Sequence, residues 1–184
     1  MAAIGSAKRI AIIGCGGSGK STLATRLGPV LGLPVVHLDV HYWNPGWVPT
    51  PREEWKNEVE GLVSRESWII DGNYGSTMDK RLAASDAVIF LDFPRRICLW
   101  RVVKRRFQNI GVSRPDMAPD CPERLLDVEF LKFLKWVWVY PNVSRRPLLE
   151  RLRGLQPSTT IIMLRNPKEV RDFLDDPKST NTLA

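Results

Sequence analysis

Five short apolar runs punctuate the chain, and between them apolar residues recur at helical spacing. Residues 9–13, 33–39, 67–71, 86–94 and 159–164 are dominated by Val, Ile and Leu and bounded by Gly, Pro, Asp or Ser. Continuous runs of this length suit strands buried on both faces of a parallel sheet. Residues 21–31 have helical periodicity, weakened at Gly28-Pro29, where the helix is expected to end or kink. Thr50, Pro51 and Glu53 read as cap, first-turn proline and capping-box acid of a helix to about Val63. Pro94 opens a helix reaching Arg106. Residues 123–140 form another, with Leu126, Phe130, Phe133, Leu134, Val137 and Trp138 along one stripe, read as packing. A short helix to about Arg153 and a last one to about Asp175 complete the pattern, and the tail reads as frayed. Strand alternating with helix predicts one α/β domain over residues 1–184, a parallel sheet with crossover helices.

The first strand leads into Gly14-Cys15-Gly16-Gly17-Ser18-Gly19-Lys20-Ser21, which satisfies G-x-x-x-x-G-K-[ST] at every fixed position. The glycines turn the backbone so that successive N–H groups converge on an anion, and a helix start adds its dipole. Gly14, Gly16, Gly17, Ser18, Gly19, Lys20, Ser21 and Thr22 are therefore expected to bind nucleotide phosphates. Lys20 reaches the β- and γ-phosphates, and Ser21 is placed to bind Mg²⁺.

Length and composition add bounds. The chain has 184 residues, enough for a core without staples, and a net charge of +7, which favours polyanionic ligands such as nucleotides or nucleic acid. Cys15, Cys98 and Cys121 are odd in number and widely spaced, so neither a disulfide framework nor a zinc motif follows. A cysteine inside the phosphate loop points to a reducing, cytoplasmic setting. The first apolar run is too short for a signal segment or a membrane span.

Strand ends carry the remaining candidates, because ligands of open α/β sheets lie at the strands' carboxyl edge. Asp39 ends the second run and reads either as a substrate or metal-water contact or as a turn aspartate. Residues 41–51 hold three prolines with Tyr42, Trp43 and Trp47. Tyr42 and Trp43 are read as stacking on a base or sugar, and Trp47 as covering the core. Asp71 ends the third run and is the candidate magnesium-side carboxylate, with Asn73 and Tyr74 beside it. Asp92 ends the fourth. Arg101 and Arg105 share a helix face, either clamping a triphosphate or forming a solvated basic face. Residues 107–153, with Arg145 and Arg146, read as a helical lid insertion.

Together GCGGSGKST, WIIDGNY, VIFLDFP and the R-x-x-x-R-R of the following helix resemble the adenylate-kinase-like P-loop kinases. Within them the chain is most similar to the bacterial DNA topology modulation, or adenylate-kinase-related, group. That group shares the L-D-x-x-x-W-x-P-G-W-x-P segment found at residues 38–49. The resemblance implies a P-loop NTPase three-layer sandwich of five parallel strands in the order 2-3-1-4-5. It implies ATP and Mg²⁺ as cofactors, Asp71 on the magnesium side, and Arg101 and Arg105 at the lid hinge. Asn166 and Pro167 would lie in the adenine-binding loop. DGNYG lacks the arginine of the family's DGFPR motif, which counts against AMP as acceptor. The implied activity is transfer of the ATP γ-phosphoryl group to a small acceptor, with Lys20, Asp71, Arg105 and Asp39 catalytic and Ser21 and Asp71 on the metal. The alternative is a nucleotide-binding regulatory ATPase acting on DNA topology, although the sequence contains no recognisable DNA-reading motif.

Overall fold

A computed structural model describes residues 4–123 and 127–177. Leu126 of the expected stripe and the tail from residue 178 lie outside the described residues. The chain runs β1 (Arg9–Gly14), α1 (Lys20–Leu31), β2 (Val35–His37), α2 (Leu38–Tyr42), β3 (Trp43–Asn44), β4 (Val48–Pro49), α3 (Arg52–Val63), β5 (Trp68–Asp71) and α4 (Met78–Ala83). It continues with β6 (Ala87–Leu91), α5 (Arg95–Gln108), α6 (Val128–Val143), α7 (Arg145–Arg153), β7 (Thr160–Leu164) and α8 (Pro167–Asp175). Among the described residues no helix is long and apolar enough to cross a membrane.

The main sheet is wholly parallel, in the order β2-β5-β1-β6-β7. Counting its own strands alone, this is 2-3-1-4-5; the small antiparallel hairpin β3–β4 is the addition that sequence did not anticipate. Alternate residues of the central strand serve opposite faces. Ile10 and Ile12 pack with Ile89, Leu27, Val137 and Phe173, drawing α1, α6 and α8 onto one face. Ala11 and Ile13 pack with Phe90, Trp55, Leu82 and Leu148, holding α3, α4 and α7 on the other. Every one of these residues is at most 4% exposed. Each large one contributes about 1.5–3 kcal/mol of burial free energy, which makes the layered core the main source of stability.

Several boundaries differ from the sequence reading, each for a local reason. Helix α1 continues through Pro29 to Leu31 and closes on a left-handed Gly32. Gly28 is buried, with room for no side chain: a methyl group there would lie 2.6 Å from Val35 Cγ2, so packing against β2 holds this last turn. The second strand is shorter than expected, because the chain coils into α2 directly after His37. Asp39 therefore sits in the first turn of a short helix rather than at a strand end. Thr50 does not cap α3; its hydroxyl donates to the Tyr42 carbonyl at 2.7 Å and closes the hairpin loop, while Pro51 occupies the cap position. Helix α6 starts at Val128, later than expected, because the Asp127 side chain accepts from Phe130 N and supplies the cap that Glu123 cannot. Trp138 is half exposed and covered by the Arg95 guanidinium 4.0 Å above its ring, whereas Tyr140 is the buried aromatic of that helix.

The end of β1 leaves almost no space for the turn that follows. Gly17 has φ 79° and lies against α5, where a methyl group would be 2.4 Å from the Cys98 carbonyl oxygen and 2.8 Å from Val102 Cγ2. Gly17→Ala is expected to lower stability by about 1–3 kcal/mol through combined strain and overlap. The urea midpoint of the variant measures it; an unchanged midpoint would contradict the packing described.

Candidate active site

The phosphate loop is folded in a form ready for an anion. Ser18 N donates to the Cys15 carbonyl at 3.2 Å, and α1 begins immediately after Gly19, whose φ of 100° turns the chain into the helix. Lys20 Nζ donates to the Cys15 carbonyl at 3.0 Å, so the ammonium is folded back over the loop. Arg101 reaches across from α5, its Nη1 donating to the Ser18 carbonyl at 3.1 Å with the guanidinium 5.3 Å from the Phe93 ring centre.

At the neighbouring strand ends, β2 and β5 pair in a register that sets His37 beside Asp71. His37 Nδ1 and Asp71 Oδ2 are 2.6 Å apart, and Asp71 Oδ1 lies 3.5 Å from the Ser21 hydroxyl. The bond to Asp71 raises the His37 pKa above the usual 6.5. Burial pushes the Asp71 carboxyl up, against the opposing pull of His37 and Lys20. Beneath this pair, Arg81 is fully buried and donates to the Gly72 and Tyr74 carbonyls, each at 3.0 Å, fixing the turn that follows Asp71. Burial lowers its pKa to about 10.

Asp39 accepts a 2.6 Å bond from the Tyr74 hydroxyl, which fixes one of its carboxylate oxygens and leaves the other unengaged by that bond. Trp43 and Trp47 meet edge to face, with centroids 5.4 Å apart and planes at 70°. Opposite them runs a buried ion-pair network: Arg106 pairs with Glu123 and Asp127, and Arg114 with Glu123 and Asp116. Hydrogen bonds from Trp47 Nε1 to the Pro122 carbonyl (3.0 Å) and from Gly46 N to the Asp120 carbonyl (2.9 Å) join the hairpin loop to this second loop.

One cavity of about 1430 Å³ runs from the phosphate loop past Asp71, Asp39 and the two tryptophans to the ion-pair network, with His37 and Arg81 off its wall. Gly16, Gly17, Ser18, Gly19, Lys20, Ser21 and Thr22 line it, together with Asp39, Asp71, Arg101, Arg105 and Pro167. Two expected residues stand off its wall. Gly14 serves the close approach of β1 to Leu91, and the Asn166 side chain is engaged in capping α8 through Lys168 N and Glu169 N. The aromatic assignments are exchanged in part. Tyr42 packs on Trp55 and Tyr74 away from the cavity, whereas Trp47 lines it beside Trp43. Asp92 and Arg145 form a bidentate pair at 2.6 and 2.7 Å, so this arginine of the expected lid is already engaged. His37, Arg81 and Arg114 were missed. His37 matters through a strand that is its neighbour only in the sheet, and Arg81 and Arg114 lie in stretches whose sequence carries no motif, their partners being carbonyls and acids within ten residues.

Comparison with known proteins agrees with this architecture. No family model matches the chain. The uncharacterized protein YqaC of Bacillus subtilis is 34% identical over 108 residues, a stretch covering 56% of this chain and 60% of that protein. The matched region thus spans less than two thirds of the curated relative. Shikimate kinase from Acinetobacter baumannii, solved in complex with shikimate, superposes with a TM-score of 0.59 at 16% identity, over 95% of this chain and 92% of that one. Shikimate kinase from Bacteroides thetaiotaomicron gives 0.51 at 15% identity, over 92% and 95%. The fold is that of the P-loop kinases.

The His37–Asp71 pair has a signed pH dependence. A folded pKa raised above 6.5 contributes stability that is fully present below that value and lost as pH rises through the folded one. The stability difference between the metal-free protein and its His37→Gln variant should therefore shrink from pH 6 upward. Urea midpoints at successive pH values test this; a constant difference rules it out.

Proposed function

We propose that the protein is an ATP-dependent kinase transferring the γ-phosphoryl group to a hydroxyl of a small acceptor. One observation carries the reading: the phosphate loop, the carboxylates of Asp39 and Asp71 and a second recognition wall share one continuous cavity. Its volume exceeds that of a typical single-ligand pocket, which suits a nucleotide and an acceptor side by side. Salt-bridged loops at the far end give the acceptor its own chamber.

In this reading the loop N–H groups and Lys20 hold the β- and γ-phosphates, and Arg101 neutralises charge as it develops, while Arg105, one turn further along α5, is left to the acceptor. The Ser21 hydroxyl and Asp71 carboxylate, 3.5 Å apart, are the hard oxygen donors that Mg²⁺ takes alongside nucleotide phosphates. Among the described residues no cluster of three or more His, Cys, Asp or Glu offers a complete protein cage, as fits an ion held mainly by phosphates and water. When bound, Mg²⁺ would neutralise phosphate charge. His37 orients Asp71 from behind. Asp39, held by Tyr74, accepts the proton of the attacking hydroxyl. Closure over the site is assigned to residues 107–123. Helices α6 and α7 are anchored in the core, the first by Val137 and Tyr140 and the second by Leu148 and Leu152, so both stay with the sheet. Affiliation with the topology modulation group rests on the segment at 38–49 and belongs to this proposal.

Lys20→Ala is expected to reduce phosphoryl transfer roughly 100-fold or more while leaving the circular dichroism spectrum unchanged. Retained turnover in the folded variant would overturn the kinase reading.

A further inference from the structure

The acceptor chamber has unmet bonding capacity, and that capacity outlines a ligand. Arg105 Nε is buried with no hydrogen-bond partner, and among the described residues its guanidinium has no ion pair. Its charge is disfavoured by burial and by Arg114, and favoured by Glu123, Asp116 and Asp39. A buried cation without a close counter-ion is costly, and an anion bound against it removes that cost. Nearby, Asn73 Oδ1 is buried with no donor. Asp39 has one oxygen fixed by Tyr74, and the other is available to a donor. The wall thus asks for one anion and two hydroxyl donors.

The aromatic side of the chamber sets a shape. Trp43 and Trp47 stand at 70° to each other, so they form a corner rather than two parallel plates. A planar base would find no slot between them, whereas the C–H face and edge of a saturated ring fit a corner. The corner is rigidly built. Trp47 holds φ 66°, a left-handed conformation that a bulky side chain adopts only when its surroundings impose it. Its indole N–H is tied to the Pro122 carbonyl, and both rings pack on Met117, Ala118 and Cys121.

We propose that the acceptor is a saturated cyclic polyol bearing one anionic group, either a carboxylate or a phosphate ester. This rests on the kinase reading. The anion meets Arg105, and one hydroxyl donates to Asn73 Oδ1. The ring lies in the Trp43–Trp47 corner, and the reacting hydroxyl donates to the unengaged oxygen of Asp39. In the transfer step that hydroxyl oxygen bonds to the γ-phosphorus and its proton passes to Asp39. The bond to the β,γ-bridging oxygen breaks, and ADP leaves with the electron pair. A nucleoside monophosphate fits less well: its phosphate supplies no donor to Asp39, and its base has no slot.

Three probes share one ring and differ only in the sixth carbon: glucose, glucuronate and glucose 6-phosphate. Their binding to the full-length protein saturated with Mg²⁺ and a non-hydrolysable ATP analogue is measured by calorimetry, with AMP and CMP as further arms. Glucuronate or glucose 6-phosphate should bind about 10-fold more tightly than glucose, the gain of one charge-assisted contact, and whichever is preferred identifies carboxylate or phosphate ester. Arg105→Gln should abolish that preference, while Arg105→Lys keeps it; a purely structural role would weaken all three probes alike. Equal binding of all three, no binding of any at millimolar concentration, or tighter binding of AMP or CMP than of any of them would overturn the inference. The last of these would leave the kinase reading intact, whereas failure to bind the ATP analogue at all would defeat that reading itself.

Discussion

The structure depends on one close approach: the phosphate loop lies directly on α5, with no side chain between them. Gly17 faces the Cys98 carbonyl, and Arg101 from the same helix bonds the Ser18 carbonyl. The loop is therefore fixed by a helix that follows the fourth strand of the main sheet. That helix also carries Arg105 and Arg106, the first facing the chamber and the second tied into its ion-pair network. A single element thus sets the distance between the phosphate loop and the proposed acceptor end. Positioning of this kind is most of what a phosphoryl-transfer protein must supply.

Polar groups buried around the cavity are held by partners both near and distant in sequence. Arg81 satisfies two carbonyls of the turn after Asp71, and His37 holds Asp71 from the adjacent strand. Glu123 joins Arg106 to Arg114 and so connects α5 to the loop that carries Met117 and Ala118. Networks like these do little for net stability, since desolvation offsets much of the attraction. Their consequence is geometric, because each ion pair fixes the segments that carry it. Arg105 stays outside these pairs, and the proposed acceptor anion is set against it.

The five strands of the main sheet and the phosphate loop were legible in the sequence because each rests on local physics, whereas the strand order came only from the resemblance to adenylate-kinase-like kinases. Continuous apolar runs suffice for buried parallel strands, and the loop needs glycines, a lysine and a helix start within a few residues. Asp71 could be picked out by position alone, as an acid at the end of such a strand. Asp39 was found for the wrong reason: its strand stops at His37, and a short helix presents the carboxylate to Tyr74. The aromatic segment could be recognised as unusual but not oriented. Whether Tyr42 or Trp47 faces the cavity is decided by a left-handed residue and by contacts with residues 117–122.

What the sequence determined by itself was the layered α/β architecture and a nucleotide-phosphate site, since both follow from periodicity and from a motif closed within one turn of chain. Tertiary structure alone decided the far end of the cavity, the proposed acceptor chamber. Its walls come from α2, the β3–β4 hairpin, the turn after β5, α5 and the loop before α6. Those segments meet only after the sheet has ordered its strands, and the charges they bring are paired or left free according to distances that no linear spacing encodes.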